Sequence, residues 1–146
     1  MKKNITLIII IIVISIYGYL NNNPDLIPTT AQQSATDGSA LADAYKNRKS
    51  DVQVSGTGVV IKNLADDNVG SRHQKFILKL PTGKTVLVSH NIDLAPRINS
   101  LRKGDTVSFY GEYEWNARGG VVHWIHHDPR GKHVGGWLKH NGMTYQ

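Results

Sequence analysis

The spacing of apolar positions changes three times along the chain, and each change marks a different kind of structure. Ile5 to Leu20 is apolar almost without a break, interrupted only by Thr6, Ser15 and Gly18, and it carries no charge. Lys2 and Lys3 stand directly before it. This is the pattern of a signal anchor or a signal peptide, with the lysines on the cytoplasmic side and everything after Leu20 exported. A helix over residues 5–20 would rise roughly 24 Å against a hydrocarbon core of ~30 Å, with Tyr17 and Tyr19 suited to the interface. Ile16-Tyr17-Gly18 is a poor match to a small-residue cleavage site, which favours an anchor over a cleaved signal.

Residues 21–38 are rich in Asn, Thr, Ser, Gln and Pro and read as a flexible linker. From Ser39 to Lys49, Leu41, Ala44 and Tyr45 fall at helical spacing, predicting a short helix with a narrow apolar face. Beyond Ser50 the period becomes two. Val52 to Ile61 forms a first strand, with Gly56 and Gly58 where a sharply bent strand needs them. His73 to Leu80 and Lys84 to His90 flank Pro81-Thr82-Gly83 as a hairpin. Asn91 to Leu101, interrupted by Pro96, reads as a loop with one or two helical turns. Asp105 to Trp115 and Val121 to His126 form a second hairpin around Asn116–Gly120. Three strands, a connection and two strands is the order of a small five-stranded OB-like Greek-key barrel. A small open antiparallel sheet is the rival, because pairing order is not written in a single sequence. Residues 128–146 show little periodicity and read as a loop-rich tail, completing a domain over 39–146.

Composition narrows the chemistry. The chain of 146 residues holds 17 Lys and Arg against 11 Asp and Glu, a formal charge of +6, so a polyanion is attracted to it. It has no cysteine, which excludes disulfides, thiolate zinc sites and a cysteine nucleophile. No Walker-type glycine loop, HExxH pair or GxSxG elbow occurs. All seven histidines follow residue 72, and five lie between His123 and His140.

Asp66-Asp67-Asn68, Gly70 to Gln74, His90 to Arg97, Gly111 to Trp115, His123 to Pro129 and Gly136 to Gly142 form a set of long, specific segments between about Leu41 and Gln146. Through them this part of the chain resembles a bacterial family designated domain of unknown function 3465. The resemblance implies the extent of the domain. Its chemistry has to come from the residues.

Three groups of residues carry candidate chemistry. OB-type barrels bind oligonucleotides or oligosaccharides across a strand face, so Tyr110 and Trp124 are candidates for a stacking platform. Arg72, Lys75, Lys79 and Arg97 are its basic surround. Solvated lysines and a core tryptophan would look the same in sequence. The cluster His123, His126, His127 and Asp128 suits a divalent metal ion, although His123 and His127 would stand about 13 Å apart on a continuous strand. The strand would have to end early and the chain turn back, with His90 or His133 joining from elsewhere. Glu112 and Glu114, two residues apart on one face, together with Arg72, His73, Arg97 and Asp93, could form a metal-assisted phosphodiesterase site, with Glu112 and His126 as its catalytic pair. A surface laced with ion pairs would present the same residues.

The function expected is thus a cell-envelope binding domain, anchored in the inner membrane through residues 5–20 or released beyond it, with nucleic acid or another polyanion as ligand. A metal-dependent hydrolase and a structural or partner-binding module are the alternatives.

Overall fold

Alternating burial along each strand sets the architecture. The computed structural model describes residues 29–146 together with positions 12, 14, 15, 18, 19 and 22. The chain divides into two compact units, Met1–Ala35 and Thr36–Gln146. In the first, the described positions before Thr29 are helical, with Ile12, Ile14 and Tyr19 exposed. Most of the anchor expected over 1–20 lies outside the described residues. Among the described residues no helix is long and apolar enough to cross a membrane.

Helix α1 spans Thr29–Lys46, beginning well upstream of Ser39. Ala and Gln between Thr30 and Ala35 favour a helix without forming an apolar stripe, so periodicity does not reveal that part. In the second unit, Leu41 and Ala44 are buried in the core and Tyr45 packs against it.

Strands β1 (Val52–Asn63), β2 (His73–Lys79), β3 (Thr85–Asn91), β4 (Thr106–Glu114) and β5 (Val121–His123) close into a barrel in the order β1-β2-β3-β5-β4, with β1 pairing back onto β4. Only β3 and β5 run parallel among these pairs. This is the five-stranded OB-like Greek-key barrel. Its interior is filled by alternate residues, among them Val54, Phe76, Leu78, Val107, Phe109 and Tyr113. β1 serves two partners, β4 along Val52–Val59 and β2 from Val59 to Asn63, with an irregular register between Val60 and Lys62. Gly56 makes room for its cross-strand partner Phe109, since a Cβ there would stand 2.7 Å from the Phe109 ring.

The end of the chain departs from the expected tail. β5 stops at His123 rather than His126, because Trp124 takes a left-handed backbone with φ 50°. The vacated edge of β4 is taken by β6 (Trp137–His140), which pairs Ser108 with Lys139 and Tyr110 with Trp137. β7 (Met143–Tyr145) completes a hairpin through Asn141-Gly142, both at positive φ as a two-residue turn of this hand requires. Gly136 leads into β6 with its backbone pressed against the carbonyl oxygens of Trp124 and Tyr110.

Buried polar groups fasten the loop between β3 and β4 to the barrel. Gln74 donates through Nε2 to the Ile98 carbonyl and accepts from the Ile98 amide, both at 2.9 Å. His90, fully buried, donates through Nε2 to the Pro96 carbonyl at 2.9 Å, which leaves its buried Nδ1 without a partner. His140 is anchored in the same manner, with Nε2 2.8 Å from Asp105 Oδ2.

Two outcomes follow from these contacts. Burial holds the His90 imidazole below its ordinary pKa of 6.5, and the charges of His126 and His73 act in the same direction against the Pro96 carbonyl. The folded state therefore keeps His90 neutral where the unfolded chain takes up a proton. Its contribution is complete above about pH 6.5 and is lost as the pH falls from there through the lower folded value. Thermal unfolding should show a lower Tm at about pH 5 than at about pH 7.5, with a shallower slope in His90→Gln; an unchanged slope would remove His90 as the cause. Gly136→Ala would force a Cβ into the main chain of Trp124, Ile125 and Tyr110. Denaturant unfolding should register a loss of about 1–3 kcal/mol, the range for overpacking a tight site.

Candidate functional site

The pleat of β4 turns Ser108, Tyr110, Glu112 and Glu114 outward, opposite Val107, Phe109, Gly111 and Tyr113. Register across its neighbours extends them into rows. Thr57, Ser108 and Lys139 form one, Ser55, Tyr110 and Trp137 the next, and Gln53, Glu112 and His123 the third. Thr57 and Ser108 share a 2.8 Å hydrogen bond. The rings of Tyr110 and Trp137 stack with centroids 6.2 Å apart and planes at 30°, and Lys139 Nζ lies 4.4 Å from the Trp137 ring centre. This is an aromatic platform bordered by a cation.

Beyond β5, the Asp128 carboxylate gathers a loop by accepting hydrogen bonds from the amides of Arg130, Lys132 and His133 at 2.9, 2.6 and 2.8 Å. Those amides hold its carboxyl below the usual carboxylate range. The loop carries His133 back onto Trp124, where the two rings stack at 3.8 Å and 15°. His133 Nδ1 then stands 3.9 Å from Glu112 Oε2. A second ring pair thus borders the row that holds Glu112.

Between these ring pairs lies an acid–imidazole group. His123 Nε2 is 3.6 Å from Glu112 Oε1 and 3.8 Å from Glu114 Oε1. One atom from each of the three residues falls within 4.8 Å of the others, the one such convergence of His, Asp or Glu ligand atoms among the described residues. The side chains are partly exposed, at 32% for His123, 21% for Glu112 and 39% for Glu114, so solutes reach them. His123 Nε2 itself is buried and makes no hydrogen bond, as does Gln53 Nε2 in the same row.

The remaining residues singled out in the sequence lie elsewhere. Arg72 pairs with Asp93 at 2.7 Å, Arg97 with Asp66 at 2.9 Å and Lys75 with Asp67 at 3.4 Å. Asp93 also accepts the Arg72 amide, and these contacts lower its pKa from the ordinary carboxylate value. His73 donates through Nδ1 to the Ser71 carbonyl. These cations pair with aspartates in the loops around β2 and β3. His90 is a core group. His126 is buried, donating through Nδ1 to the His127 carbonyl, and is not among the converging ligands. His127 is exposed, and Asp128 is occupied by amides, so the structure brings His123 together with Glu112 and Glu114 rather than with those two. Trp124 and Tyr110 each stack on a ring from the segment after β5, His133 for Trp124 and Trp137 for Tyr110.

Trp137 and Lys139 are not legible as site residues while 128–146 reads as tail. The signal is present in the alternation of Trp137-Leu138-Lys139-His140 followed by Asn141-Gly142, which is a hairpin signature.

No curated protein matches the chain. The sequence profile of the family described as "Protein of unknown function (DUF3465)" matches residues 26–146, which takes in the whole barrel, both added strands and every residue of the β4 face, and the chain belongs to that family.

Proposed function

We propose that the protein is an OB-type binding module of the cell envelope that lays an oligomeric, ring-bearing ligand across the outer face of β4, with single-stranded nucleic acid the first ligand to test. The observation that carries this is the Tyr110–Trp137 stack with Lys139 beside it, on the outward face of β4 and the strand that extends it. Bases stack on such rings without regard to sequence, and a lysine at the rim meets the phosphate chain. The net charge of +6 favours encounter with a polyanion. Arg72, Arg97 and Lys75 are neutralised by Asp93, Asp66 and Asp67 and have no part in the contact. Envelope placement rests on Lys2, Lys3 and the apolar run from Ile5 to Leu20.

The convergence of Glu112, Glu114 and His123 favours a second reading, metal-assisted hydrolysis of a phosphodiester on the same face. His126 has no place in it, being buried away from the cluster.

The full chain incubated with labelled single-stranded DNA, with and without Mn²⁺, Mg²⁺ or Zn²⁺, separates these. Retention without cleavage is expected. Trp137→Ala or Tyr110→Ala should weaken it about five- to hundredfold, the equivalent of one lost stacking contact, while Arg72→Ala changes it little. Metal-dependent cutting abolished by Glu112→Ala would establish the hydrolase instead. Neither retention nor cutting, or retention indifferent to Trp137 and Tyr110, contradicts a ligand face on β4 and leaves a structural or partner-binding module.

A further inference from the structure

We infer that Glu112, Glu114 and His123 form a binding site for one divalent transition-metal ion on the outer face of β4, independent of whether nucleic acid binds there. The backbone places all three donors. Glu112 and Glu114 share a face as alternate residues of one strand, and His123 is the direct cross-strand partner of Glu112. The site is thus fixed by the ladder between β4 and β5 and needs no loop to assemble it.

Spacing then separates an ion site from a hydrogen-bonded cluster. At 3.6 and 3.8 Å from the two carboxylate oxygens, His123 Nε2 is too distant to donate a hydrogen bond to either, so a proton on that nitrogen does not account for the geometry. An ion about 2.0–2.1 Å from each donor in tetrahedral geometry sets donor–donor edges of roughly 3.3 Å, against 3.6 and 3.8 Å from His123 to the two carboxylates and no more than 4.8 Å across the three donors. Rotation of the two glutamate side chains would have to bring the donors in to that spacing.

Charge points the same way. The chain holds 17 Lys and Arg, yet the ion pairs of Glu112 and Glu114 among the described residues are with His123 and His133 alone. Two carboxylates side by side, facing a buried imidazole nitrogen that has no hydrogen-bond partner, lack a cation. An imidazole with two carboxylates suits zinc or manganese, whereas magnesium and calcium prefer all-oxygen shells. His133 is held next to Glu112 by its stack on Trp124 and by the Asp128 grip on its amide, as a fourth group at the rim. A bound dication would also cancel the negative charge at this end of the β4 face.

Titration of the purified full chain with Zn²⁺ in competition with a chromophoric chelator, without nucleic acid, tests the site. One equivalent should bind, and an equal concentration of Mg²⁺ should not displace it. His123→Gln and the double change Glu112→Gln, Glu114→Gln should each lower the affinity at least about tenfold, and His127→Gln should leave it unchanged. These side chains point outward, and far-ultraviolet circular dichroism checks that each variant remains folded. On the unaltered protein, Mn²⁺ should selectively broaden the NMR signals of Glu112, Glu114 and His123. Absence of a bound equivalent, an equivalent unaffected by these substitutions, or broadening centred on other residues overturns the site.

Discussion

Because β4 is hydrogen-bonded along both edges, to β1 on one side and to β5 and β6 in succession on the other, its pleat cannot rotate without breaking three ladders. A one-residue slip would exchange Val107, Phe109 and Tyr113, which fill the core, with Ser108, Tyr110 and Glu112, which face outward. Burial of large apolar side chains at about 1.5–3 kcal/mol each fixes that choice many times over. The outer face inherits its geometry from this constraint. Its rings and acids are arranged by the same register that packs the interior, which makes it a preformed surface.

Electrostatics divides the molecule into groups that hold loops and groups left to act. Arg72, Arg97 and Lys75 each meet an aspartate, and Asp128 meets three amides, so these charges organise the connections between strands. Exposed pairs of this type contribute little stability individually, but they fix where loops lie. The charges at the β4 face differ. Lys139 rests on a ring, and among the described residues Glu112 and Glu114 form ion pairs with imidazoles alone. Among the described residues neither glutamate has a lysine or arginine as an ion-pair partner, which is why a bound cation is proposed there.

The barrel is legible in the sequence because half-buried strands alternate, and alternation survives in a single chain. Gln74, Phe76 and Leu78 alternate with Lys75 and Ile77, and the outward set of β4 reads directly from Ser108, Tyr110, Glu112 and Glu114. The period of two alone therefore places Glu112 and Glu114 side by side on one face. The effect of one backbone reversal is not legible. Trp124 at positive φ ends β5, and nothing in its residue type announces this, since that conformation is rare for an aromatic side chain. The reversal frees the edge of β4 for Trp137 and brings His133 to Trp124, so the partners of both predicted rings come from a segment that reads as tail. The arginines illustrate a different limit: sequence supplies the charges, but only spatial pairing tells a clamp from a strut.

The measurement that bears most directly on a β4 ligand face is NMR chemical-shift mapping of the full chain as single-stranded DNA is added. The expected perturbations cluster at Ser55, Tyr110, Glu112, His123, Trp137 and Lys139, while Arg72, His73 and Arg97 remain still. Perturbations centred on Arg72, His73 and Arg97, with the β4 face unmoved, would contradict it.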